Sequence, residues 1–105
     1  MALTRSFRDT VMARVGREPE FGIALMQEAI ELFLSGDTEA AKSMLRDVIN
    51  ATIGFPELSR RTGTPAKSLM RMFSPSGNPT ARALFTAIKE LQVANGVVLE
   101  LKRAA

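Results

Sequence analysis

The stretch FPELSRRTGTPAKSLMRMFS, residues 55–74, constrains the fold more than any other part of the chain. Pro56 fits the first turn of a helix, where its missing N–H removes no hydrogen bond. Gly63 supplies a residue able to leave that helix through a left-handed conformation. Thr64 is suited to N-cap a second helix whose first residue is Pro65. Leu58 anchors the first helix, and Leu69, Met72 and Phe73 line one side of the second at i, i+3, i+4. Ser59 is small where two helices must approach closely. The pattern predicts a helix, a turn of three or four residues and a second helix, the helix-turn-helix arrangement.

Such a corner leaves Pro65, Ala66, Lys67, Ser68, Met70 and Arg71 on its outer edge, and the N-terminal part of the second helix is the part that enters a DNA major groove. Lys67 and Arg71 are the candidates to face the groove, with Met70 beside them and Thr64 at the start of the helix. Ala66 can touch a thymine methyl but cannot form the paired hydrogen bonds that discriminate bases strongly. Ser68 could add a hydrogen bond to the DNA backbone, and Arg60, Arg61 and Arg82 are candidates to neutralise phosphates. The alternative is a generic helical corner with solvated arginine and lysine.

Charge supports the first reading through its distribution. The net charge is +3, but residues 1–54 carry six Lys/Arg against eight Asp/Glu and residues 55–105 carry eight against three, a split of −2 and +5. Basic charge gathers in the half that holds the corner, as expected for a polyanion-binding half joined to a different half. At 105 residues the chain suffices for one domain with one core, and 46% hydrophobic residues exclude disorder by composition. It contains neither cysteine nor histidine. Disulfides, thiolate metal sites and thiol chemistry are therefore excluded, and the commonest metal ligand and general base are missing. No metal, cofactor or catalytic activity is expected. The absence of cysteine fits a reducing cytosol, and a cytoplasmic location is expected. No apolar run approaches a membrane span, and MALTRSFRD lacks the apolar core of a signal peptide.

In order, a first helix is expected over residues 4–16, with Phe7, Val11, Met12 and Val15 on its apolar side. Its arginines Arg5, Arg8, Arg14 and Arg17 are read as a solvated face of a packed helix, with an arm against DNA as the alternative. Pro19 opens a second helix to about Ser35, ended by Gly36. Phe21, Leu25, Ala29, Leu32 and Phe33 form one stripe on it, and Ile23, Met26, Ile30 and Leu34 a second. A helix apolar over so much of its circumference needs partners on several sides, either at the centre of a bundle or at an interface. Asp37 caps a third helix ending near Gly54. Ala40, Ala41, Met44, Leu45, Val48, Ile49 and Ile53 give it a core stripe, and Glu39, Lys42, Ser43, Arg46 and Asp47 cover the other face. The SPSGNP segment is turn chemistry, with Asn78 as N-cap and Pro79 opening a final helix to about Ala94. It lacks the glycine pattern and lysine of a phosphate-binding loop, though its N–H groups could touch a DNA phosphate. Ala83, Leu84, Ala87, Ile88 and Leu91 of the final helix pack inward, and Asn95-Gly96 stops it. The tail VVLELK alternates Val97, Leu99 and Leu101 against Val98, Glu100 and Lys102, a strand signal over residues 97–102. A lone strand is not stable in water, so it is expected to pair with a second copy or with another protein's sheet edge, a loop or an extra helical turn being the alternative. The expected fold is all-α: a single five- to six-helix repressor-like bundle over residues 1–105, with a short C-terminal strand paired across a dimer through Val97, Leu99 and Leu101.

The segments GDTEAAKSMLRDV and ELSRRTGTPAKSLMRMFSPSGNPTARALFTAIKEL resemble the addiction-module antidote proteins with a phage-repressor-like helix-turn-helix. The resemblance spans roughly residues 20–92, and the SPSGNP connector is its most specific part. It implies a repressor-like domain that dimerises, binds a palindromic operator, represses its own operon and neutralises a toxin by direct contact. Phe55 departs from the polar residue, often glutamine, with which many such domains hold a phosphate. Double-stranded operator DNA, a second copy and a cognate toxin are the expected partners, and no membrane. The alternative is an interaction module that clasps a toxin or mediates dimerisation with little sequence-specific DNA binding.

Overall fold

A computed structural model describes residues 5–104, with side chains from residue 9 onward. Thr4, expected to open the first helix, and the side chains of Arg5, Phe7 and Arg8 lie outside the described residues. Among the described residues six helices follow one another: α1 Arg5–Arg17, α2 Pro19–Leu34, α3 Thr38–Ala51, α4 Gly54–Thr62, α5 Ala66–Met72 and α6 Ala81–Asn95. No strand occurs among the described residues. The described chain is all-α, and among the described residues no helix is long and apolar enough to cross a membrane.

Glu18 and Pro19 break the chain between α1 and α2, with Pro19 at the start of α2. The two helices meet closely at Gly22, where a Cβ would lie 2.9 Å from Val15 Cγ1. Arg14 binds Glu18 at 3.2 Å and lies over the Phe21 ring at 4.1 Å, so its charge belongs to the packed α1–α2 corner. Gly36, at φ 91°, turns the chain into α3, and Asp37 accepts the Ala40 N–H at 3.3 Å as the expected cap. The α3 stripe enters the core with Ala41, Leu45, Val48 and Ile49 fully buried. The helix stops at Ala51, earlier than expected, and Gly54, at φ 77°, starts α4 one residue ahead of Phe55.

A single cluster joins these elements: Met26 and Ala29 from α2, Leu45 and Ile49 from α3, Phe55 and Leu58 from α4, Leu69 and Phe73 around α5, and Ala87, Ile88 and Leu91 from α6. Removing a side chain of leucine or phenylalanine size from water contributes about 1.5–3 kcal/mol. α5, only seven residues long, depends on this burial because so short a helix does not persist alone. Phe55, far from any phosphate-holding role, packs against Phe73 with ring centroids 6.4 Å apart.

Three local expectations are corrected. Pro65, not Thr64, occupies the N-cap position of α5, and the helix begins at Ala66. Thr80, not Asn78, caps α6 by accepting the Ala83 N–H at 3.1 Å, which leaves Pro79 outside the helix. Lys42 does not lie on a solvated face: it is 3% exposed. The tail forms no strand within the chain. Val97 and Leu99 pack on the core, whereas Leu101 is 80% exposed.

Candidate nucleic-acid interface

The turn between α4 and α5 is built from backbone requirements. Gly63 takes φ 77°, and its N–H donates to Ser59 O at 2.8 Å, closing α4 with a left-handed residue that costs little without a Cβ. Thr62 Oγ1 donates to Leu58 O and accepts the Thr64 N–H, which joins helix end and turn. Leu58, Leu69 and Phe73 hold the inner side.

The outer side carries Lys67, Met70 and Arg71, all exposed, at the i, i+3, i+4 spacing that shares one helix face. Pro65 and Ser68 are exposed beside them. Ala66 and Thr64 are half-buried, and Ala66 packs against the core, so little of it remains for a base contact. Ser68 and Arg71 line a shallow recess of about 200 Å³ together with Met72, Ser76, Gly77 and Asn78. This brings part of the SPSGNP connector to the same edge as α5.

The arginines of α4 are not equivalent. Arg60 is largely exposed but engaged: its Nε donates to Glu57 Oε1 at 2.8 Å, and its second contact reaches the other carboxylate oxygen. Arg61 is tucked in, donating to Glu57 at 2.9 Å and lying 4.0 Å from Glu90 on α6. Hydrogen bonds from Arg60 and then Arg61 pull the Glu57 pKa from its usual 4.5 down to about 2. Arg61 thus ties α4 to α6, while Arg60 could exchange Glu57 for a phosphate. Arg82 is exposed in the first turn of α6.

Lys42 is the residue that sequence reasoning missed. Its ammonium donates to Ser74 O at 3.0 Å and Gly77 O at 2.7 Å, and pairs with Glu39 at 3.0 Å. It therefore staples the 74–77 loop, and with it the end of α5, to α3. Gly77 allows the fit, since a Cβ there would lie 2.0 Å from Arg71 O and 2.6 Å from Met72 O. One signal was present: Lys42 stands on the same helical stripe as Leu45 and Ile49, at i, i+3, i+7. Chain termini of helices want cations near their exposed carbonyls, and Lys42 meets that need from a distance.

A second surface is apolar. A groove of about 690 Å³ runs between α2, α6 and the tail, with Ile30, Leu34, Phe85, Ile88, Leu99 and Leu101 among its walls. Leu34, Phe85, Val98 and Leu101 are each more than 60% exposed. Sequence analysis did not single out Phe85, which lies off the inward stripe of α6.

No family model, curated protein or solved structure matches the chain.

Proposed function

We propose that this chain is a DNA-binding regulator acting as a dimer, with α4, the turn and α5 serving as a helix-turn-helix and α5 as the groove-reading helix. The observation that carries the reading is the free face of Lys67, Met70 and Arg71 on a helix whose opposite side is fixed in the core. Exposed Arg60 and Arg82 extend positive charge on either side in sequence. Phosphate contacts would dominate affinity, so binding weakens steeply as salt rises. Two copies on a palindromic site would set their α5 helices about 34 Å apart, one turn of B-DNA. With Ala66 half-buried, base discrimination falls to Lys67, Met70 and Arg71.

The residue pattern that resembles addiction-module antidotes extends the proposal: the chain would repress its own operon and bind a toxin encoded beside it. A second reading, an interaction module with little sequence-specific DNA binding, is favoured by the apolar groove. The two are compatible in an antidote. Co-expression with the neighbouring open reading frame, followed by pull-down, tests the toxin-binding part.

The DNA-binding part is tested by Lys67→Ala combined with Arg71→Ala. The double variant should keep its helical circular dichroism and lose the gel shift with the chain's own upstream DNA at moderate salt. An unchanged shift overturns the assignment of these residues.

A further inference from the structure

As far as Leu99, the tail turns one backbone edge toward α6 and leaves the other free. Val97 N–H donates to Gln92 O at 3.0 Å, and Leu99 N–H donates to Gln92 Oε1 at 2.7 Å. The odd-numbered N–H groups at these two positions are therefore turned toward α6. Among the described residues no hydrogen bond within the chain engages the N–H of Val98, Glu100, Leu101 or Lys102, so beyond Leu99 the parity continues only as an extended chain would carry it. In an extended chain, residues two apart direct their N–H and C=O groups to the same edge. The even-numbered edge is consequently free, next to a groove whose rim holds Val98 and Leu101 more than three-quarters exposed.

We propose that the occupant of this edge is the same segment of a second copy, running antiparallel, with Leu101 on the twofold axis. The inference rests on the dimeric reading given above and specifies its register. Both copies present even-numbered groups, so opposite residues must be of like parity. Charge then selects among the registers. With the axis at Leu101, Glu100 faces Lys102 of the partner, and the contact occurs twice by symmetry. An axis at Glu100 sets two carboxylates opposite each other, and an axis at Lys102 sets two ammonium groups opposite. An axis at Leu99 leaves both charges without a counterpart. Opposed like charges destabilise a strand pair and opposed unlike charges stabilise it. In the chosen register Glu100 and Lys102 form the hydrogen-bonded pair on the free edge, and the two Leu101 side chains meet beside the groove, covering apolar surface from both copies. An isologous contact of this kind closes as a dimer and leaves no further edge for growth.

The absence of native cysteine makes the register directly readable. Leu101→Cys places two thiols opposite each other at the axis, about 4.5–5.5 Å apart at Cβ before adjustment. Under mild oxidation this variant should become mostly covalent dimer, at least tenfold more than Val98→Cys or Glu100→Cys under the same conditions. Glu100→Lys and Lys102→Glu should each raise the dimer dissociation constant about tenfold or more by sedimentation equilibrium. An equimolar mixture of the two should regain nearly wild-type association, because every pair in the heterodimer is again of opposite sign. All these positions are exposed, and a thermal melt of each variant would check that it folds. Equal cross-linking at all three positions, or a mixture that stays dissociated, overturns the register. A wild-type dimer that Leu101→Cys does not link overturns the register but leaves the dimer. A wild-type monomer overturns both, and if Leu101→Asp then abolishes capture of the neighbouring gene's product, the groove belongs to that protein.

Discussion

Lys42 and Ser74 are 32 residues apart, yet their contact does what a helix cap does within one turn. A buried ammonium feeds carbonyls that have left the α5 ladder, and Gly77 lets the loop close over them without a side chain in the way. Replacing Lys42 by methionine keeps the volume and removes the donor. The Gly77 carbonyl would then lose its donor and the Ser74 carbonyl would keep only the Gly77 N–H, at a cost of about 1–3 kcal/mol. The melting temperature should fall by roughly 4–24 °C, since 1 kcal/mol shifts a domain of this size by about 4–8 °C. DNA binding should weaken as well, because the connector that shares the recess with Ser68 and Arg71 loses its anchor. A variant that melts like the parent would show that the staple contributes nothing. This is also where the sequence was least legible. Asp37, Gly63 and Gly96 announce themselves because capping chemistry is local, a short side chain or a glycine acting within a few residues. The role of Lys42 depends on a contact that exists only after folding, and its identity as lysine pointed toward solvent.

Within α4, the i, i+3 and i, i+4 spacing of Glu57, Arg60 and Arg61 makes one carboxylate serve two guanidinium groups. The folded-state pKa of about 2 lies below the usual 4.5. The stabilisation it provides is therefore fully present above about pH 4.5 and is lost as pH falls toward 2. The Glu57 side-chain carboxyl carbon should titrate in that low range by NMR, and Glu57→Gln should remove the step. If Arg60 exchanges Glu57 for a phosphate on DNA, Arg60→Ala should make the salt dependence of binding shallower by about one unit of slope per protomer. An unchanged slope would mean that Arg60 makes no phosphate contact. At this scale the basic residues were legible as a set, but their partners were not. Arg61 resembles Arg60 in sequence, yet only Arg61 reaches across to Glu90 on α6. The tail shows the same division: of the alternating set Val97, Leu99 and Leu101, the first two pack on the core and Leu101 does not, and no second strand lies among the described residues to pair with the segment.

For the molecule as a whole, the core fixes the inner side of α5 beneath an exposed cationic face, and the proposed pairing of the tail would double that face. The proposed register at Leu101 and the proposed groove-reading role of α5 are then linked by avidity. Once one copy of a dimer is seated on a half-site, the second half-site is met at an effective concentration set by the dimer's geometry, and affinity rises by about 10²–10⁴ without new contacts. A full palindromic duplex should therefore bind the wild-type chain tighter than a single half-site by a factor in that range, measured by fluorescence anisotropy at fixed salt. Glu100→Lys should erase most of that advantage while leaving half-site affinity intact, because Lys67 and Arg71 are untouched. The same variant separates stability from assembly: the melting temperature of the wild type should rise with protein concentration through mass action, and that of Glu100→Lys should rise far less. If half-site and full-site affinities fell together in Glu100→Lys, the tail would be supporting α5 through the fold of a single copy, and the coupling between dimer and operator would have to be sought at another face.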